Sequence, residues 1–117
     1  VGEPAPWNVT LALSGSQVAV NDTVTYGGSV RSAGEKASKG VVTIQKRLAA
    51  GGPWIAWRTA TLDATGKYSL AVKMTNRQAW QFRARMPGDS FDLTGYSPLE
   101  GLMVGEPAAV VSLSAAA

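Results

Sequence analysis

The chain has 117 residues, a net charge of +3, no histidine and no cysteine. That length suits one two-layer domain. A hydrophobic content of 45% with 19 Gly plus Pro (13 + 6) suits a folded, turn-rich chain rather than a disordered one. The missing residue types remove thiolate chemistry, Cys-ligated zinc and the commonest general base. The charge excess is too small and too dispersed for a nucleic-acid fingerprint, and no apolar run approaches the ~20 residues of a membrane-spanning helix.

No stretch holds a helical period. Period-two alternation recurs instead, broken by Gly, Pro, Asn and Asp. Residues 1–8 read as an N-terminal arm in which Trp7 anchors to the domain. Val9–Ser14 predicts a first strand, ended by Gly15-Ser16. Thr23–Ser32 is the second, with Val24, Tyr26 and Val30 on one face; Gly27-Gly28 inside it marks a bulge or a close backbone approach. Ser32 to Gly40 is a polar loop. Val41–Leu48 is the third strand, with Val42, Ile44 and Leu48 facing one way and Val41, Thr43, Gln45 and Arg47 the other.

Ala49–Pro53 forms a hairpin loop, and Trp54–Leu62 returns with Ile55 and Trp57 on one face and Trp54, Ala56 and Arg58 on the other. Asp63-Ala64-Thr65-Gly66 is the next turn. Tyr68, Leu70, Val72 and Met74 line the fifth strand. In the sixth, Trp80, Phe82, Ala84 and Met86 alternate with Gln81, Arg83 and Arg85. This strand carries the heaviest apolar load and is predicted to be central. Pro87-Gly88-Asp89 ends it, since proline cannot donate to a ladder. Leu99–Val104 is the last strand, with Leu102 and Val104 on one face and Leu99 and Met103 on the other. Seven strands at this spacing predict an all-β Greek-key sandwich in preference to an up-and-down barrel. The expected core is Val24, Tyr26, Val42, Ile44, Ile55, Trp57, Leu70, Val72, Trp80 and Phe82.

Asp63-x-x-Gly66-x-Tyr68-x-Leu70, Trp80-x-Phe82-Arg83-Ala84, Pro87-Gly88-Asp89 and Tyr96-Ser97-Pro98 together resemble bacterial immunoglobulin-like domains over about Val9 to Val104. Trp54 and the irregular last strand depart from that pattern. Such domains occur in tandem on surface and secreted proteins and on phage capsid and tail proteins. The resemblance implies an immunoglobulin-like sandwich over residues 9–104 with a spacing, adhesive or decorating role. It places the chain outside the cell, at a cell surface or on a virion. It also implies that the third and sixth strands pair.

Val1-Gly2-Glu3-Pro4-Ala5 recurs as Val104-Gly105-Glu106-Pro107-Ala108, an offset of 103 residues (104 − 1). One sandwich of this kind takes about 100 residues, so the echo points to modules in series. Residues 105–117 then read as a linker with an extra strand over Ala109, Val110, Val111, Ser112, Leu113 and Ser114. That strand would pair with a neighbouring module or an identical chain.

Every acidic residue falls in a turn, loop, linker or frayed strand, and no pair has a catalytic spacing. An enzyme is therefore not expected, and no cofactor is called for. Asp89 and Asp92 in one loop, and Asp63 in another, have calcium-ligand chemistry, but aspartate in these positions is more simply a turn former. The candidate binding residues are Arg47, Arg58, Arg83 and Arg85, expected in one outward row, with Trp54 as an exposed ring beside them. Guanidinia in a row suit acidic partners such as cell-surface or capsid proteins, whereas an exposed Trp54 ring suits stacking on a sugar, the alternative reading of a carbohydrate-binding module for glycans. The same row equally serves as an ordinary solvent-facing surface. No nucleic acid and no membrane insertion are expected.

Overall fold

A computed structural model describes residues 5–32, 35–36, 40–88 and 92–105. Among these the only regular structure is β: β1 (Asn8–Val9), β2 (Ala12–Leu13), β3 (Gln17–Val18), β4 (Thr23–Ser32), β5 (Glu35–Lys36), β6 (Val41–Leu48), β7 (Ile55–Thr61), β8 (Lys67–Lys73), β9 (Gln78–Met86), β10 (Gly95–Tyr96) and β11 (Glu100–Val104). They form two sheets. In one, β1, β2, β5 and β8 all pair with β4. The other runs β3-β11-β9-β6-β7, with β10 added to β9. The chain crosses between sheets repeatedly, so β4 lies beside β8 and β6 beside β9. This is an all-β sandwich, and β9 occupies the middle of its sheet.

The first expected strand is present in two pieces that keep one register. Val9 faces Val30 and Ala12 faces Gly27. Between them Thr10 donates its N–H to Ser29 O over 2.9 Å. After Gly15 the chain changes sheets, and β3 lies parallel to β11, with Met103 N donating to Ser16 O and Gly105 N to Val18 O. The arm is bonded to the domain from Ala5 onward: Leu93 N donates to Ala5 O and Trp7 N to Leu93 O. The second and third strands coincide with β4 and β6.

The buried side chains are those that alternation assigns inward: Val24, Tyr26 and Val30 on β4, Val42 and Ile44 on β6, Phe82, Ala84 and Met86 on β9, Leu102 and Val104 on β11. Each large one contributes ~1.5–3 kcal/mol before ordering entropy is subtracted. Tyr26, Trp57 and Phe82 meet at the centre, with centroids 4.9 to 5.3 Å apart. Tyr26 comes from one sheet and the other two rings from the facing sheet, so this triad clamps the layers together.

Of the expected core, Trp57, Leu70, Val72 and Trp80 are only partly buried at its edge, and Ile55, like Leu48 of the face expected inward on β6, is exposed. Ile55 is 50% exposed and Leu48 43% exposed. Both face inward by parity, but they sit where the β6–β7 hairpin extends beyond the cover of the opposing sheet. The residues of the repeated motif at 1–4 and 106–108, and the expected strand Ala109–Ser114, lie outside the described residues.

The Asp63 turn has the expected form. Gly66 takes φ +78°, and the Asp63 carboxylate accepts from Thr65 N (2.8 Å), Thr65 Oγ1 (2.6 Å) and Lys67 N (3.0 Å). The Thr65 hydroxyl and the two backbone N–H groups hold its pKa below the usual carboxylate value. A depressed folded-state pKa stabilises the fold above the unfolded pKa of ~3.9 and is lost as pH falls through the lower folded value. Asp63→Ala is therefore expected to lower urea stability at pH 7, with the gap to the parent closing under acid. A gap that stays constant on acidification rules this out.

Candidate functional site

The pairing of β6 with β9 decides which side chains share a face. Gln45 faces Arg83, Thr43 faces Arg85 and Arg47 faces Gln81. All six have the parity opposite to buried Ile44, Phe82 and Ala84, so they point away from the core. The expected outward grouping of Arg47, Arg83 and Arg85 is thus present, on two central strands.

The arginines are held in place. Arg47 Nε donates to Gln81 Oε1 and Arg83 Nε to Gln45 Oε1, both over 2.7 Å. Each bond runs across the strand pair, so two antiparallel Arg–Gln rungs lie side by side. Both guanidinium carbons then lie 4.5 Å from the Trp54 ring centroid. Arg83 also lies 4.2 Å from the Tyr96 ring, which β10 brings to the other side by pairing Tyr96 with Arg85. The result is a flat platform running from Trp54 across Arg47 and Arg83 to Tyr96. Nε is satisfied by glutamine and the guanidinium plane by aromatic rings. The terminal N–H groups, which no described residue engages, are paired donors. An arginine already fixed this way loses less side-chain entropy on binding.

Arg58 does not extend the row. Ile44 faces Arg58 whereas Gln45 faces Ala56, so Trp57 is an extra residue in β7. This bulge resets parity. Arg58 is carried to the edge of the inward side, where its guanidinium lies 4.8 Å from the Trp57 ring. Trp57 itself turns onto Tyr26 and Phe82. Trp54 is half-buried rather than free-standing, because its ring is already engaged by two guanidinia.

Residues with no role assigned by sequence reasoning also enter. Gln45 and Gln81 orient the arginines, and Tyr96 completes the aromatic rim. Lys46, on the inward side opposite Phe82, places its ammonium 4.2 Å from the Trp80 ring and 5.3 Å from Trp57. Its position was legible from strict alternation; its partners were not. Of the calcium candidates, Asp92 is buried and accepts from the Ser32 hydroxyl, Asp63 builds its turn, and Asp89 lies outside the described residues. No cluster of three His, Cys, Asp or Glu occurs among the described residues.

No protein-family model matches the chain, and no curated protein matches it. Partial similarity is found to the β-glucosidase from Listeria innocua, in complex with gluconolactone and with glucose. Each has a TM-score of 0.44 and 10% identity over 86% of this chain. The chain spans 16% of the length of each of those structures.

Proposed function

We propose that the chain is a non-catalytic, immunoglobulin-like attachment module that grips an acidic surface through the outward face of β6 and β9. The observation that carries this reading is the Arg47–Arg83 platform, with its Gln45 and Gln81 rungs and its Trp54 and Tyr96 rims. Held guanidinia recognise carboxylates and sulfates by paired N–H donors, and clustered arginine with aromatic residues is the usual make-up of an interface centre. The absence of His and Cys supports a non-catalytic role. The immunoglobulin-like assignment draws support from the sheet-switching first strand and the parallel β3–β11 pair. The setting that fits is a module in a cell-surface protein or fibre, or a virion surface protein. Recognition of a neutral sugar on Trp54 is less well supported, since its ring is already engaged.

The test is binding to immobilised poly-L-glutamate and polygalacturonate by interferometry at fixed ionic strength. Arg83→Ala is expected to weaken binding about tenfold, the worth of a lost charge-assisted contact. Trp54→Ala is expected to weaken it by a smaller factor, because it removes support and leaves the charge. Binding that is equal in Arg83→Ala and the parent would discard the reading.

A further inference from the structure

The opposite side of the same sheet carries a second cationic feature. Where β6 and β7 face β8 and the Thr75-Asn76 turn, the two sheets part to leave a cleft of about 150 Å³. Lys46 from β6, Arg58 from β7 and Lys73 from β8 line it, with Trp57 and Trp80 as apolar walls. The Lys46 and Arg58 cations thus share one small space, while Lys73 has the outward parity of β8 and borders it from the rim. No carboxylate is among the described residues that line it.

This arrangement is unusual for the rim of an apolar core. Lys46 occupies an inward-facing register position opposite Phe82, where alternation ordinarily places an apolar side chain. The faces of Trp57 and Trp80 offset part of its charge. Even so, burial, and then the nearby Arg58, push the Lys46 ammonium below its usual pKa. Like charges gathered in a half-closed space repel, and an anion placed between them removes that cost.

We propose that this cleft binds a single oxyanion group, sulfate or carboxylate, presented at the open edge of the sandwich. Its volume admits such a group. Two separate cations match a sulfate dianion better than a carboxylate. Because the cleft opens on the core side of the sheet, it is independent of the Arg47–Arg83 platform.

The experiment is an NMR titration of the full chain with sodium sulfate, and separately with sodium acetate, chloride being exchanged to hold ionic strength constant. The indole N–H signals of Trp57 and Trp80 are expected to shift and saturate while that of Trp54 stays still. Half-saturation is expected at a lower concentration for sulfate. Saturation by acetate alone would keep the site and assign it to a carboxylate. Lys46→Met and Arg58→Gln are each expected to weaken sulfate about tenfold. Arg58 is exposed, so its variant reports on binding even where Lys46→Met disturbs the core. Shifts that rise linearly without saturation, or half-saturation unchanged in Arg58→Gln, overturn the proposal. Movement of the Trp54 signal alone would locate anion binding on the platform and equally overturn it.

Discussion

Phe82→Ala is expected to cost about 3–5 kcal/mol of folding stability, the range for emptying a buried aromatic site. Phe82 is wholly buried on the central strand β9. Its ring lies 4.9 Å from Tyr26 and 5.2 Å from Trp57, centroid to centroid. Truncation removes the transfer energy of the ring and leaves a space that its neighbours are poorly placed to fill. Tyr26 is fixed on the facing sheet, and Trp57 is held by the β7 bulge. The loss is a large fraction of the ~5–15 kcal/mol that a domain has in total. Urea denaturation is expected to show a lower midpoint at unchanged slope. A loss below about 1.5 kcal/mol would mean that the triad collapses inward and does not clamp the sheets.

Gly28→Ala is the second large effect, and its cause is backbone rather than core. A Cβ on Gly28 would stand 2.0 Å from Thr10 O and 2.7 Å from the Tyr68 hydroxyl oxygen. Tyr68 pairs with Gly28, crosses it and donates to the Thr10 carbonyl. A side chain at residue 28 thus pushes on both ends of that bond. No flexible side chain can yield, so the β1–β2 edge has to move. The expected cost is about 3 kcal/mol, the upper part of the overpacking range. Gly101→Ala is the matched control, since its Cβ would meet nothing within 4 Å. It is expected to change stability by less than ~0.5 kcal/mol. Equal melting temperatures for the two variants would refute the close-approach account of Gly28.

Alternation carried most of what could be read from the sequence. It placed β4 and β6 at their ends, made β9 central, and put Arg47, Arg83 and Arg85 on one outward face. It also grouped Leu102 with Val104 on one face of a short, irregular last strand, without saying which face was inward. Its errors share one cause: parity is local, whereas its meaning depends on what lies opposite. One extra residue at Trp57 reverses the face of everything after it, so Arg58 left the row that its spacing predicts. Ile55 has inward parity but no sheet above it. The two-residue strand β3 has no alternation to show, and its partner β11 lies at the far end of the domain. Tyr96 and the two glutamines joined the platform through cross-strand pairing, which no single stretch of sequence encodes.

The β3–β11 pair also gives the sandwich a direction of mechanical strength. The strands are parallel, one near the start of the domain and one at its end. Once the arm and β1–β2 had been drawn off Leu93 and β4, traction at the two ends would draw β3 backward by its leading end and β11 forward by its trailing end. The hydrogen bonds Met103 N to Ser16 O and Gly105 N to Val18 O lie across that path. They are loaded together in shear and not peeled one at a time.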